Sequence, residues 1–307
     1  MRKATLRFNN KLLGSYHNGN YFVELYQDGT KKYYCDQDQM FSEFPETLDI
    51  NISNRCDQNC KFCYQNCSKD GKVANLSQFT SLVDNIKPWT EIAINGNDIN
   101  DQQLIEWLQY CKQRNIIVNV TINSNHLVTN LKHVKCLQEN NLIYGLGVSV
   151  QTISQPILNA IKQCKNVVLH LVCGICNQKV LQTLYDQNFK VLFLGFKKCG
   201  KGDWYYERHG DVVEENINYV KDNLKQIVKH FKVVSFDNLA LVQLDVRNSI
   251  SEQAWEKYYL GKDGTRSMYL DFVNETFHVS SISKDMFSGK LTNDVKGMFN
   301  VVKAIDL

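Results

Sequence analysis

The chain lacks any run of about eighteen apolar residues, the length that a membrane-spanning helix requires. Its first residues, MRKATLRFNNKLLGSYHNGN, begin with basic side chains but contain no apolar segment typical of a secretion signal. It also has little net charge, because 35 Lys and Arg residues nearly balance 32 Asp and Glu residues to give +3. We therefore expect a cytoplasmic protein with no membrane partner, and the charge gives no reason to expect nucleic acid as its partner.

Solenoid-type repeats and low-complexity segments are also missing. The eleven cysteines are odd in number and scattered along the chain, which favours a reducing compartment over disulfide bonding. The hydrophobic fraction of 43% and the charged fraction of 22% are close to globular averages. A length of 307 residues suits one large α/β domain with small additions.

Most of the sequence alternates between strand and helix patterns. Apolar or β-branched runs predict six strands, and segments with apolar residues at helical spacing separate them. The predicted strands are 47–53, 90–95, 116–122, 142–150, 166–174 and 190–196, and the predicted helices between them are 75–87, 101–115, 127–140, 153–164 and 179–188. This alternation is typical of a parallel sheet or a barrel built from βα units.

Other elements flank the alternating region. Tyr21, Val23 and Leu25 alternate between two glycine turn signals, which predicts one or two β-hairpins near the N-terminus. The remaining predictions are a helix at 212–231, a strand at 233–244, and a hairpin within 267–283 that turns at Asn274 and Glu275 and lies on the open side or bottom of the barrel. The predicted domains are an N-terminal β element (1–45), a core barrel (46–236) and a C-terminal covering segment (237–307).

Four of the cysteines lie within twelve residues, in the stretch CDQNCKFCYQNC. Cys56, Cys60 and Cys63 have the spacing C-x3-C-x2-C soon after the first predicted strand. Cys67 offers a fourth ligand, either for zinc or for an iron–sulfur cluster with no open coordination position. Four-cysteine zinc sites usually consist of two C-x2-C pairs far apart in the sequence, so one compact loop fits zinc less well.

The motif, with the aromatic Phe62 just before its third cysteine, resembles the signature of the radical SAM superfamily, and the likeness extends over residues 47–236. The resemblance implies a partial (β/α)6 parallel barrel of the α/β class, with an N-terminal β-hairpin element and a C-terminal covering segment. It also implies that Cys56, Cys60 and Cys63 hold three irons of a [4Fe–4S] cluster. The fourth iron then binds the amino and carboxylate groups of S-adenosylmethionine.

The chemistry and the partners follow from the same resemblance. Reductive cleavage of S-adenosylmethionine yields a 5′-deoxyadenosyl radical, which abstracts hydrogen from a substrate. The implied electron donor is a protein such as flavodoxin or ferredoxin. The implied substrate is a peptide or a small molecule, including nucleotides, and its identity cannot be read from the sequence.

The resemblance also implies contacts to S-adenosylmethionine at the ends of the predicted strands. Where the family has Gly-Gly-Glu after the second strand, this chain has Gly96, Asn97 and Asp98, so the middle glycine is replaced and the acid is shorter. The other implied contacts are Tyr64 beside the cluster, Asn123, Ser124 and Asn125 after the third strand, Ser149 and Gln151 after the fourth, Val172 and Gly174 in the fifth, and Gly195 and Phe196 in the sixth. The alternative interpretation is ordinary strand-end polarity, with Asp98 near a helix start.

The other features have plainer interpretations. Cys173 and Cys176 form a C-x2-C pair that we interpret as buried cysteines rather than as a redox pair. No cysteine follows Cys199, which predicts a single-cluster enzyme without the family's SPASM or twitch extension. We expect His126 to be structural. We also expect a solvated basic loop formed by Lys197, Lys198 and Lys201, and an aromatic run packed in the core, formed by Trp204, Tyr205 and Tyr206.

The sequence therefore predicts a radical SAM enzyme. The competing hypothesis is a non-catalytic scaffold whose cysteine loop binds zinc or a closed iron–sulfur cluster. No catalytic acid, base or radical-quenching residue is identified, because the mouth of the predicted barrel carries no interpretable motif.

Overall fold

A computed structural model describes residues 10–283 and 289–305 of the chain. Near the N-terminus, three antiparallel strands pair in the order β1-β2-β3, which confirms the predicted hairpins. Their bounds are β1 Leu12–Asn18, β2 Tyr21–Tyr26 and β3 Lys31–Cys35. The part of the predicted N-terminal element before residue 10 lies outside the described residues.

The second sheet is mainly parallel, and it follows from the βα rhythm of the sequence. Its strands are β4 Thr47–Asn51, β5 Glu91–Asn95, β6 Ile117–Asn123, β7 Leu146–Ser149, β8 Val167–Val172, β9 Lys190–Leu194, β10 Val233–Phe236, β11 Ser267–Asp271, β12 Thr276–His278 and β13 Gly289–Lys290. They are ordered β10-β9-β8-β7-β6-β5-β4-β11-β12-β13. Within the described ranges the two outer strands do not pair with each other, so the sheet is open, as predicted for a partial barrel.

Helices connect the parallel strands, and several begin at an Asn or Asp that follows the preceding strand. The side chains of Asp101, Asn123 and Asn177 each accept a hydrogen bond from a backbone N–H of the next helix, which is the usual N-cap arrangement. The helices are α1 Thr80–Asp84, α2 Gln102–Gln113, α3 Ser124–Glu139, α4 Gln155–Gln163, α5 Gln178–Leu184, α6 Lys201–Ile227, α7 Asn238–Gln243, α8 Val246–Ser249, α9 Glu252–Tyr258 and α10 Val295–Lys303, with short 3-10 helices at Leu76–Phe79 and Val228–His230. None of the helices in the described residues is both long and apolar enough to cross a membrane.

The two faces of the parallel sheet differ in polarity. Leu48 and Ile50 of β4 are buried in the same apolar cluster as Leu104 and Leu108 of α2. Because side chains alternate across a strand, Asp49 lies on the opposite, inner face. The inner face also carries polar side chains of the neighbouring strands, which include Asn119, Thr121, Ser149 and His170. The inner face of the sheet, which lines the space that we call the lumen, therefore carries several polar side chains.

Two predictions for the second half of the chain are wrong in their bounds. The predicted strand 233–244 ends at Phe236, because the Asp237 carboxylate accepts a hydrogen bond from Ala240 N and starts α7. The predicted helix 212–231 begins eleven residues earlier, at Lys201, and has non-helical dihedral angles at His209. The aromatic run therefore lies in the first turns of α6.

The predicted C-terminal hairpin is confirmed. β11 and β12 pair antiparallel, and Glu275 in the turn between them has a positive φ of 55°. β11 also pairs in parallel with β4, so the hairpin extends the open edge of the sheet beside the strand that leads to the cysteines.

Candidate functional site

The cysteine loop begins directly after β4. Its base is closed by backbone hydrogen bonds, from Cys56 N to Ser68 O (2.7 Å) and from Ser68 N to Asn54 O (3.1 Å). Asn59 and Asn66 have positive φ angles of 46° and 57°, a conformation that asparagine tolerates better than most residues. This compact path leaves the first three cysteines half-buried, whereas Cys67 is buried.

Hydrogen bonding and burial distinguish the four thiols. Burial raises the pKa of Cys56 and Cys60. Cys67 Sγ donates to Gln65 Oε1 at 3.9 Å. The interaction of the Cys67 thiol with Cys63 lowers the pKa of Cys63 and raises that of Cys67. Among residues 10–283 and 289–305, no three Cys, His, Asp or Glu side chains converge on a site for a single ion.

The start of α6 is fixed against the cysteine loop. Lys201 N donates to Cys63 O (3.0 Å), and Lys201 Nζ donates to Cys67 O (2.6 Å). Gly200 adopts a φ of +57°, and a Cβ atom at this position would lie 2.6 Å from Tyr64 O and 3.0 Å from Cys63 O. Only glycine therefore allows this close approach of the two segments.

Replacement of Gly200 by alanine is expected to displace the cysteine loop. The backbone of Gly200, with φ +57° and ψ −134°, lies in a region that residues other than glycine rarely adopt and that costs alanine about 1–3 kcal/mol. The clash with two carbonyl oxygens adds to this. We expect a lower melting temperature and reduced iron incorporation on anaerobic reconstitution. Gly210→Ala is the matched control, since the nearest heavy atoms lie 3.5 Å from its added Cβ. Equal iron content and stability in both variants would contradict the proposed contact.

Gln151 connects the fourth βα turn to the cysteine loop. Its Nε2 donates a hydrogen bond to Cys60 Sγ at 3.0 Å, although the two residues are 91 positions apart. Ser149 lies half-buried at the end of β7, two residues before Gln151. The structure thus brings Gln151, one of the strand-end residues that the resemblance implies, into contact with one of the three cysteines.

Asp98 is bound by residues that lead into the cysteine loop. Its carboxylate accepts hydrogen bonds from Ser53 Oγ (2.6 Å) and Arg55 Nε (2.8 Å). Gly96 approaches β6 closely, since Gly96 N donates to Thr121 O at 2.7 Å and an added Cβ would lie 2.6 Å from Val120. Gly96 is thus packed closely against β6, and both oxygens of Asp98 already have protein partners.

The turn after β6 also contacts the cysteine loop. Ser124 is buried, and the Asn123 side chain accepts a hydrogen bond from Asn125 N (2.8 Å) to cap α3. His126 Nε2 lies 2.6 Å from an oxygen of Asp57, the residue after the first cysteine. The predicted structural role of His126 is consistent with this contact, which connects α3 to the loop.

The two residues after β9 have their backbone groups occupied. Gly195 N donates to Asp237 Oδ1 (2.9 Å), and Phe196 N donates to Gln243 Oε1 (2.8 Å). An added Cβ at Gly195 would lie 2.3 Å from Leu239. The resemblance implies that Gly195 and Phe196 contact S-adenosylmethionine. In this structure the backbone N–H groups of both residues are hydrogen-bonded to the segment around α7.

The remaining predicted residues differ in their surroundings. Cys173 and Cys176 are each 1% exposed, and burial raises the pKa of Cys173, so the interpretation as buried cysteines is confirmed. Val172 is half-buried on the inner face of β8, and Gly174 has a positive φ of 81° at the turn that follows. Trp204 is 63% exposed, which contradicts its predicted place in the core.

The predicted basic loop is only partly solvated. Lys197 Nζ lies 4.0 Å from the centre of the Tyr64 ring and donates to Ser281 Oγ at 2.8 Å. Lys198 Nζ lies 3.4 Å from the centre of the Tyr206 ring, and about half of its side chain is exposed. The prediction of a solvated loop is thus wrong for Lys197, because its stem and ammonium are enclosed at the mouth of the lumen.

Sequence reasoning missed the carboxylate in the lumen. Asp49 is open to water but is surrounded by protein, and this enclosure raises its pKa to about 6, while the positive charge of Lys197 opposes the shift. Tyr269 stands opposite Asp49 on the neighbouring strand β11. The only signal in the sequence is an acid at an alternate position of an otherwise apolar strand, TLDIN.

Replacing Asp49 by asparagine is expected to stabilise the fold at neutral and higher pH. The raised pKa means that ionisation is disfavoured in the folded chain, so the wild type loses stability as the pH rises from about 4 through about 6. The asparagine side chain would carry no charge, so the variant would not incur this loss. Denaturant unfolding at pH 4.5 and pH 8 measures the effect, with the exposed Asp70→Asn as control. A difference between Asp49→Asn and wild type that does not grow with pH would contradict the account.

No family model and no curated protein matches the chain. Solved structures of SuiB from Streptococcus suis do resemble it. SuiB bound to its precursor peptide SuiA has a TM-score of 0.58 at 12% identity, over 86% of this chain and 68% of SuiB. SuiB bound to S-adenosylmethionine has a TM-score of 0.57 at 13% identity, over 85% of this chain and 66% of SuiB.

The likeness to SuiB concerns the fold, and this chain spans about two thirds of SuiB's length. It confirms the fold class that the βα alternation predicts, an α/β structure with a mainly parallel, open sheet.

Proposed function

We propose that this protein is a cytoplasmic radical SAM enzyme with a single [4Fe–4S] cluster. Cys56, Cys60 and Cys63 would hold the cluster, and Cys67 would donate a hydrogen bond to the Cys63 sulfur. The donor set fits the group, since three half-buried thiols project from one loop at the end of a barrel strand. With S-adenosylmethionine bound, the cluster supplies a 5′-deoxyadenosyl radical that takes a hydrogen atom from the substrate.

The contact from Gln151 to Cys60 carries this proposal. It joins the fourth βα turn to the cysteine loop, so the two regions that the resemblance assigns to S-adenosylmethionine and the cluster are adjacent. The proposed cofactor-binding residues are Tyr64, Gly96, Asn97, Asp98, Ser124, Asn125, Ser149, Gln151, Val172 and Gly195. For Asp98 and Gly195 this requires an exchange of partners, because protein groups occupy them in the present structure.

A peptide is the substrate class that we favour. The SuiB structure with its precursor peptide supports this choice, and the polar lumen of this chain offers hydrogen-bonding groups to a polar substrate. Asp49 and Lys197 are the charged side chains that we propose to face the substrate, beneath the cysteine loop. The proposed electron donor is a protein of the flavodoxin or ferredoxin type.

Anaerobic reconstitution tests the proposed function. Protein supplied with iron and sulfide should bind about four irons and four sulfides per chain, which is the content of one such cluster. Addition of dithionite and S-adenosylmethionine should then yield 5′-deoxyadenosine and methionine. A colourless protein that binds zinc and forms no 5′-deoxyadenosine would contradict the proposal.

The competing function is a non-catalytic scaffold with a closed metal site. The interaction of Cys67 with Cys63 favours it, because it provides a fourth sulfur close to the proposed ligands. In that case all four cysteines would be needed to bind the metal, and S-adenosylmethionine would leave the spectrum of the cluster unchanged.

A further inference from the structure

A groove lies between the cysteine loop and the first turns of α6. It has a volume of about 740 Å³. Asn59, Lys61 and Asn66 contribute one wall from between the cysteines, and the other wall comes from α6, with Gly200, Lys201, Trp204, Tyr205, Arg208 and His209. None of these residues belongs to a strand of the sheet, so the groove is separate from the inner face and borders the backbone beside Cys60 and Cys63.

The charges along the groove have one sign. Lys61, Lys201 and Arg208 are cationic, and none of the nine described residues that line the groove is acidic. The spacing 201, 204, 205 and 208 places one face of α6 toward the groove. Asp203 falls on the opposite face of the helix, and Glu207 lies at the edge of the groove face, next to Trp204. Lys61 and Arg208 are exposed.

An exposed aromatic side chain lies among these cations. Trp204 is 63% exposed, and the Arg208 guanidinium lies 5.2 Å from the centre of its ring. Tryptophan and arginine are the side chains most enriched at protein interfaces where binding energy is concentrated. Together they form a small aromatic and basic patch that suits an acidic protein.

The position of the groove indicates what it binds. In the proposed function, which this inference rests on, S-adenosylmethionine and the substrate occupy the lumen, so an electron carrier needs a separate surface beside the cysteine loop. The groove offers such a surface, because Asn59, Lys61 and Asn66 lie among the four cysteines. The contacts of Gly200 and Lys201 with the loop fix α6 in place, so the patch is held close to the proposed ligands.

We propose that this groove is the docking surface for a small acidic one-electron carrier protein of the ferredoxin or flavodoxin type. In the docked pair the reduced carrier loses one electron, and the cluster of this chain gains it. No covalent bond forms or breaks between the two proteins. Positive charge around the groove steers the acidic partner, and this attraction weakens as salt is added.

The test compares a protein reductant with a small one. Arg208→Glu and Trp204→Ala are the variants, and Lys225→Glu is the matched control, because it makes the same charge change on an exposed position about 25 Å further along α6. The first readout is the affinity of the cluster-free chain for an acidic [2Fe–2S] ferredoxin at 50 mM and 300 mM NaCl. The second is 5′-deoxyadenosine formation driven by reduced ferredoxin or by dithionite.

We expect Arg208→Glu to weaken ferredoxin binding about tenfold at 50 mM NaCl, with a smaller difference at 300 mM. The ferredoxin-driven rate should fall by a similar factor, while the dithionite-driven rate and the control variant should match wild type. An equal loss with both reductants, unchanged binding in the variants, or no salt-sensitive binding by wild type would overturn the proposal. A change confined to the KM for a peptide substrate would do so as well.

The outcomes separate this inference from the proposed function. If wild type forms no 5′-deoxyadenosine even with dithionite, the proposed radical SAM activity fails. The ferredoxin-binding measurement on cluster-free protein still decides whether the groove is the docking surface.

Discussion

Replacement of Cys56, Cys60 or Cys63 by alanine is expected to abolish iron–sulfur binding, whereas Cys67→Ala should retain it. Each of the three is proposed as the sole ligand of one iron, while Cys67 is proposed only to donate a hydrogen bond to Cys63. The rate of 5′-deoxyadenosine formation should fall more than about 100-fold in each of the three variants, since even loss of a residue behind a metal ligand costs about 10–100-fold.

The exposed Cys136→Ala serves as control for the loss of any thiol. Iron and sulfide content, visible absorption and product formation are measured on each variant. If Cys67→Ala loses its iron as completely as Cys60→Ala does, the closed four-cysteine site is correct and the open position does not exist.

The second large effect concerns stability. Glu46 is 2% exposed at the start of β4, where its carboxylate accepts hydrogen bonds from Tyr21 OH (2.5 Å), Tyr33 OH (2.8 Å) and Arg266 Nη1 (3.2 Å). Glu46→Ala would leave the largely buried Arg266 and Lys31 cations with less compensation. Breaking a buried ion pair in this way costs about 3–5 kcal/mol, so the free energy of unfolding should fall by that amount.

Chemical denaturation at neutral pH measures this difference. Glu43→Ala is the matched control, because Glu43 is 63% exposed and its pair with Lys296 (3.3 Å) is a surface contact worth at most about 1 kcal/mol. A Glu46 variant that is no less stable than the Glu43 variant would show that the N-terminal sheet does not depend on this carboxylate.

Local patterns in the sequence predict most of the parallel sheet. The apolar alternation of β4 to β9 and the helical spacing between them are properties of short windows, and the structure follows them within a few residues. The prediction fails where one side chain decides between two structures. The apolar run after Phe236 suits either strand or helix, and the cap by Asp237 decides for the helix.

Contacts across the chain could not be predicted. The approach of Arg55 to Asp98, of Asp57 to His126 and of Lys201 to Cys67 depends on tertiary packing. These contacts determine how the cysteine loop is held. The start of α6 cannot be predicted from periodicity, because its first turns contain an aromatic run in which Tyr205 packs against Phe62 of the loop.

Electron–nuclear double resonance tests the central claim most directly. The reduced, reconstituted protein is mixed with S-adenosylmethionine labelled with 15N in its amino group or 17O in its carboxylate. We predict hyperfine coupling from both labels, because one iron is free to bind them. Absence of coupling from either label, with a spectrum unchanged by S-adenosylmethionine, would contradict the account.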